Sequence, residues 1–456
     1  MNNSVNKKVV LLITTLSSFL APFMGSSVFI GLPSIGEEFN MDVVLLSWVP
    51  LAYLLAAAIF LVPFGRIADI YGRKKIFKYG ITIDIVASIL LAFSFSETEL
   101  ILLRIVQGIG AAMIFGTSVA ILTSVYPPQE RGKALGITVA GVYSGLSLGP
   151  VVSGFLTQYF GWRSIFLSYV PLELIIIVLT LWKLEGEWAD AKGEKLDVTG
   201  SAIYGFSLAA LMYGFSSLTE TYGALLILAS IIGLAAFVRW ELNVKNPVLD
   251  MNLFRNNTVF SLSTLAALIN YSATFAVAFF LTIYLQDVKG LSPQNASLIF
   301  VSQPIIMTIF SPVAGWLSDR VEPRVVASIG MAFTTLGLLL FSFLNEGTAL
   351  GYVVASLVII GFGFALFSSP NTNAVMSSVE KRFYGVASAT LGTMRLTGQM
   401  LSTGIATLIL AIYVGKVRIA PENYFLYIRS EKAAFTVFAI LCFIGIFASF
   451  ARGRIR

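Results

Sequence analysis

The chain contains no histidine and a single cysteine, Cys442. Without histidine there is no imidazole proton relay and no histidine metal site. One cysteine excludes an intrachain disulfide and a thiolate cluster around a metal. Charge is scarce too. Asp, Glu, Lys and Arg make up 12% of the 456 residues, where a soluble domain carries about 25%. The sequence shows no glycine-rich phosphate loop and no nucleophile–base arrangement, so neither enzymatic activity, nor a cofactor, nor ATP as an energy source is expected.

Apolar residues are abundant, at 57% of the chain. A bilayer-spanning helix needs about 20 mainly apolar residues. Such runs predict fourteen spans, at about 9–30, 44–64, 77–95, 100–122, 134–158, 164–183, 197–217, 222–240, 258–284, 295–317, 323–344, 349–368, 385–412 and 432–451. The first run is too long for a signal-peptide core and is expected to remain as a span. An even number of spans puts both termini on one side. Of the 30 Lys and Arg residues, 22 fall in segments on that side and six on the other, while Arg104 and Arg395 fall within spans. This bias predicts a cell-membrane protein with both termini cytoplasmic. It also reads the net charge of +6 as topology, with the lipid bilayer rather than nucleic acid as the partner.

The two halves echo each other. Gly65 and Asp69 recur 250 residues later as Gly315 and Asp319. Gly108 and Gly110 recur 253 residues later as Gly361 and Gly363, and Gly145 recurs at the same offset as Gly398. Weak internal symmetry of this kind is expected of a transporter built from two related bundles. It divides the chain into a bundle over 1–183, an inserted pair of helices with their linkers over 184–257, and a second bundle over 258–456.

Three segments carry mechanism. Gly65-Arg66-Ile67-Ala68-Asp69-Ile70-Tyr71-Gly72-Arg73-Lys74-Lys75 is a charged turn held between two apolar runs. Gly65 and Gly72 allow close approach and turning. Asp69 can cap a helix or pair with a base, and Arg73 and Lys74 hold the loop inside. Leu100-Ile101-Leu102-Leu103-Arg104-Ile105-Val106-Gln107-Gly108-Ile109-Gly110 places an arginine within a span, where it faces a cavity or a partner, or else snorkels to the span end. Gly141, Gly145, Gly149, Pro150 and Gly154 form a small-residue stripe suited to backbone-to-backbone packing.

Together these segments resemble the signatures of the major facilitator superfamily. With Gly161-Trp162-Arg163 and Tyr284-Leu285-Gln286-Asp287-Val288-Lys289-Gly290, the chain looks like the superfamily's fourteen-helix drug:proton antiporters of the multidrug efflux type. The resemblance implies an all-α membrane protein of fourteen transmembrane helices, two six-helix bundles plus two inserted helices. It gives Arg104 a role in proton coupling. It makes Gly65, Asp69, Gly72, Arg73, Lys74, Gly315 and Asp319 a cytoplasmic gating loop and its echo. It associates the stripe of Gly141, Gly145, Gly149, Pro150 and Gly154 with export.

One departure stands out. The family's first span carries an acidic residue nine positions before the proline of a Leu-Pro pair. Here that position is Met24. The spans hold two carboxylates, Asp84 and Glu173, either of which could carry a proton near neutral pH or be paired for structure. Arg395 sits deep in span thirteen, where it should line water, meet an acid or bind an anionic group. Candidates for a central cavity are Ser26, Phe29, Met113, Thr117, Tyr143, Asn270, Tyr271, Phe275, Gln303, Asn371 and Asn373, an aromatic and weakly polar set suited to lipophilic molecules. Pro304 and Pro370 are expected to break spans ten and twelve.

The resulting expectation is a transporter that works as a monomer and exchanges a small amphipathic, drug-like compound or metabolite for protons by alternating access. Two alternatives stay open. One is a transporter of a single defined, anionic solute. The other is a non-transporting sensor or scaffold on a transporter fold.

Overall fold

The computed structural model describes residues 6–245, 247–249, 251–318, 320–380 and 384–453. Asp319 lies outside the described residues. The first bundle comprises α1 (Lys7–Glu38), α2 (Val43–Tyr71), α3 (Arg73–Ala92), α4 (Glu97–Val125), α5 (Pro128–Phe160) and α6 (Arg163–Lys183). The inserted pair is α7 (Val198–Ser216) and α8 (Thr221–Glu241), followed by the short α9 (Met251–Asn256). The second bundle comprises α10 (Thr258–Thr274) with α11 (Val277–Ile283), α12 (Pro293–Phe300) with α13 (Ser302–Ser318), α14 (Pro323–Phe341), α15 (Leu350–Ser377), α16 (Tyr384–Tyr413) and α17 (Tyr424–Ala451).

Counting each split helix once, 13 helices are long and apolar enough to cross a bilayer. The fourteenth is α3, whose 20 residues begin with Arg73, Lys74 and Lys75 and carry Asp84. Such helices form because hydrocarbon leaves the backbone no partner but itself. Their first turns are closed by side chains, as when Asp42 accepts from Leu45 N and Asn257 from Phe260 N.

The breaks follow two different causes. Span ten breaks at Val301, one turn before Pro304, whose missing N–H cannot reach back. Pro370, in contrast, leaves α15 continuous from Leu350 to Ser377. The break between α10 and α11 has no proline. There the Ala276 N–H leaves the helix ladder and donates to Ser402 Oγ of α16 at 2.9 Å. A π-helical turn follows over Tyr284–Val288. The last helix begins at Tyr424, well before the expected 432, and so takes Glu431 into the buried interior.

In lipid, helices gain little from hydrophobic attraction and pack instead by close approach of small residues. The stripe on α5 does this against α1. A methyl group at Gly141 would sit 2.9 Å from the Thr15 carbonyl, and one at Gly145 would strike that of Phe19. Its counterpart Gly398 on α16 meets the α10 backbone at Leu268 and Ser272. Gly154, at the end of the stripe, packs on Ser297 of α12 in the other bundle.

Fourteen crossings place Asn6 and Gly453 on one face, called here the basic face. Contacts between the bundles run from the middle of the molecule to the opposite face. Gln286 Nε2 donates to the Ile30 carbonyl at 2.9 Å, and Val43 N to the Val417 carbonyl at 3.1 Å. The Ser47 and Thr407 hydroxyls lie 2.7 Å apart, and the Phe29 and Phe275 rings 5.4 Å apart. Near the basic face, hydrogen bonds among the described residues stay within a bundle or reach the linkers. The structure is therefore closed at the face opposite the basic one. The inserted α7 packs on α2 and α16, at one side of the seam between the bundles.

Candidate functional site

Burial concentrates charge at one place in the first bundle. Asp84 of α3, Arg104 of α4 and Glu173 of α6 are 2%, 1% and 0% exposed. The Asp84 and Glu173 carboxyls face each other within hydrogen-bonding reach, with Gln107 beside Asp84 and Arg104 near it but making no ion pair to either acid. Neither Glu173 oxygen finds an N–H or O–H donor. Arg104 directs its hydrogen bonds to the Gln107 side chain and, at 3.0 Å, to the Val49 carbonyl of α2. Its guanidinium lies 4.5 Å from the centre of the Tyr53 ring. Gln107 Nε2 donates to Ser88 Oγ at 3.0 Å. A small cavity of about 10 Å³, room for about one water, joins Asp84 to Ser17 and Leu20 of α1. Arg104 is thus held inside the bundle and does not snorkel to a span end.

Why these side chains meet is a matter of glycine. Gly110 of α4 abuts the Gly80 carbonyl and the Asp84 backbone of α3, and Gly108 abuts the Tyr53 carbonyl of α2. No larger residue allows helices to lie so close. The approach brings the α4 face bearing Arg104 and Gln107 between α2 and α3.

A second group lies at the seam of the bundles. Arg395 of α16 is half-buried. Its Nη2 donates to Thr372 Oγ1 at 3.1 Å, its Nε has no partner, and its guanidinium lies 5.7 Å from the Tyr271 ring centre. The Tyr271 ring meets Phe364 edge-on at 5.3 Å. From the first bundle, Tyr143 OH donates to Ser368 Oγ at 3.3 Å. Phe29 and Phe275 close the same seam toward the opposite face. Arg395 meets neither Asp84 nor Glu173, which belong to the other group.

The remaining cavity candidates are dispersed. Ser26 bonds back to the Pro22 carbonyl at 2.8 Å and packs on Gly149. Thr117 bonds back to Met113, and Met113 packs on Gly80, so both are internal to the first bundle. Asn270 is fully buried, and neither amide atom has a partner among the described residues. Gln303 offers its backbone to Gly361. Asn371 does not line the seam. Its Oδ1 accepts from Arg452 at 2.7 Å and its Nδ2 donates to the Ser263 carbonyl. Asn373 donates to Ser318 Oγ at 3.1 Å near the basic face. Two features escaped sequence reasoning. Glu431 is fully buried without a hydrogen-bond partner. A cavity of about 270 Å³ opens where α2, α7, α8, α10 and α16 meet, lined by Val62, Tyr204, Phe237, Leu268 and Met394.

On the basic face, Asp69 pairs with Arg73 at 2.7 Å and caps no helix. The α3 N-terminus is capped instead by Glu187 of the linker, whose carboxylate accepts from Lys74 N at 2.8 Å. That carboxylate occupies the space a side chain at Gly72 would need, and Gly72 has φ +115°. Arg73 also reaches Asp190 at 2.9 Å and Ser124 Oγ at 2.6 Å, and Lys74 Nζ donates to the Leu184 carbonyl. Gly65 receives Gly116 of α4, and Gly315 lies against Ser369.

The sequence pattern of the Major Facilitator Superfamily matches residues 14–403, with a second match over 263–455. The chain is 29% identical over 440 residues to the riboflavin transporter RibZ of Clostridioides difficile (strain 630), covering 96% of each chain. It is 30% identical over 399 residues to the cephamycin export protein CmcT of Amycolatopsis lactamdurans, covering 85% of this chain and 82% of that one. Among solved structures, the peptide transporter POT in complex with alafosfalin superposes with a TM-score of 0.70 at 16% identity, over 95% of this chain and 93% of that one. That likeness is one of fold.

Proposed function

This chain belongs to the Major Facilitator Superfamily, and from that premise we propose that it exports amphipathic compounds in exchange for protons, by alternating access, as a single chain. The observation that carries this reading is the contact of Asp84 with Glu173 beside Arg104. Two carboxyls in contact within a membrane are stable when a proton lies between them, and they repel when it leaves. Loss of the proton leaves a charge for Arg104 and Gln107 to meet. Arg104 is bonded to the Val49 carbonyl, and Ser47, two residues earlier on α2, touches Thr407 of the other bundle. Titration at Asp84 and Glu173 therefore bears on a bond that closes the opposite face, and it biases the two states of the carrier. The site replaces the first-span acid that Met24 lacks.

The excess of Lys and Arg on the basic face supports a cytoplasmic location for it, so the closed face described above would be the outer one. The Asp69–Arg73 loop would latch that face in the other state. The export proteins among the relatives support efflux. The full-length likeness to RibZ favours a second reading, a transporter of one planar aromatic solute.

The test is transport by purified protein in liposomes under an imposed pH gradient, followed with a panel of fluorescent amphipathic dyes. Wild type should move dye only with the gradient, and Asp84→Asn or Glu173→Gln should abolish the movement. Gradient-driven movement that survives in both variants would refute the proposed proton site. Dye movement indifferent to the gradient would refute antiport.

A further inference from the structure

Arg104 and Arg395 both sit within the bilayer, yet their surroundings differ in kind. Arg104 is enclosed by the Gln107 amide, the Val49 carbonyl and the Tyr53 ring, with the Asp84 carboxyl close by though not ion-paired. Arg395 is half-open and has no carboxylate within ion-pairing distance among the described residues. A guanidinium offers five N–H donors. Here one is spent, on the Thr372 hydroxyl. Position 395 is the twelfth residue of α16, about 17 Å along the helix from its basic-face end at 1.5 Å per residue. A full charge at that depth is costly unless water or a counter-ion meets it.

The walls around it are aromatic and come from both bundles. Tyr271 lays its ring beside the guanidinium and is braced edge-on by the buried Phe364, and Tyr143 reaches across from α5 to Ser368. A planar fork of unspent donors beside aromatic faces fits an oxyanion attached to a flat ring. The fork binds both oxygens, and the rings stack on the body.

On the transport reading above, we infer that the cargo is an aromatic compound bearing a carboxylate or a comparable oxyanion, held by Arg395 through that group and by Tyr271, which Phe364 braces, through its ring. Arg395 sets the sign of charge that the carrier accepts. Deep in the seam, it meets the cargo only after the bundles have admitted it, and closure brings Tyr143 over the bound ring.

The experiment is equilibrium binding to detergent-purified full-length protein with no gradient, so that failure of proton coupling leaves the result untouched. Two xanthene dyes of opposite charge serve as probes, anionic fluorescein and cationic tetramethylrosamine, read by fluorescence anisotropy. Arg395→Gln should weaken fluorescein binding roughly tenfold or more, the scale of a charged hydrogen-bonded contact, without weakening tetramethylrosamine. Arg395→Lys should recover part of the loss, since it restores charge without the fork. The unaltered protein supplies a control that no folding defect can reach: naphthoate should displace fluorescein, and naphthamide should not. The inference is overturned if the unaltered protein does not bind fluorescein, if Arg395→Gln loses both dyes alike, or if naphthamide competes as well as naphthoate.

Discussion

The two bundles repeat one frame and fill it with different chemistry. In the first, Gly80 and Gly110 bring α3 onto α4. In the second, Gly330 and Gly363 bring α14 onto α15 in the same way. Gly108 rests on the Tyr53 carbonyl and Gly361 on the Gln303 carbonyl. At the offsets of 250 and 253, Asp84 corresponds to Thr334, Ser88 to Leu338, Arg104 to Leu357 and Gln107 to Ile360. Leu338, Leu357 and Ile360 are fully buried. The second bundle thus shows that apolar residues close this junction adequately. Replacing a buried ionic group by apolar residues is often neutral or stabilising. The charge in the first bundle is therefore not needed to close this junction, which is the contrast the proposed coupling role builds on.

Imposing the second bundle's residues on the first should produce the largest effect. Arg104→Leu leaves two buried carboxyls without a cation. It should abolish gradient-driven transport and lower stability by about 3 kcal/mol, read as a fall in Tm in detergent. The triple variant Asp84→Thr, Arg104→Leu, Gln107→Ile should recover that Tm and still fail to transport. Recovery of both would show that the two junctions are interchangeable and that coupling lies elsewhere.

Next, Asp69→Asn removes the charge that pairs with Arg73 in the loop whose echo begins at Gly315. It should cripple transport in liposomes while leaving insertion and Tm near wild type. Normal transport would end the latch argument.

A third comparison sets Gly145 against Gly136. Gly145→Ala forces a methyl group into the Phe19 carbonyl and should cost about 2 kcal/mol, whereas a methyl at Gly136 meets nothing within 4 Å. Gly136→Ala should hold or slightly raise Tm. Between these two falls Ser402→Ala, which leaves the Ala276 N–H without its acceptor at a cost of about 1–2 kcal/mol, read as a fall in Tm.

The spans were legible because hydrocarbon demands long apolar runs, and the echo of glycines already contained the register that relates Asp84 to Thr334. The partner of Asp84 was not legible. Glu173 lies on a helix that no spacing connects to α3, and contact between them is a product of packing. The Pro304 break could be read from the proline itself. The Ala276 break could not, because its cause is a serine hydroxyl 126 residues away. The span expected over 432–451 leaves Glu431 just outside it. The apolar run Tyr424-Phe425-Leu426-Tyr427-Ile428 just before it was the signal that the helix had already begun.

If the cargo is the oxyanion inferred above, Arg395 also bears on voltage. It has no counter-charge beside it among the described residues, so the empty seam would be positive there and an anionic cargo would cancel that charge. Rocking then moves a neutral site when loaded and a charged one when empty. An elementary charge crossing the whole field is worth about 2.3 kcal/mol per 100 mV. In a cell that is negative inside, the proposed outward stroke would then proceed with little resistance from the potential. The empty site would be drawn back toward the cytoplasm, and the membrane potential would reset the carrier after each release.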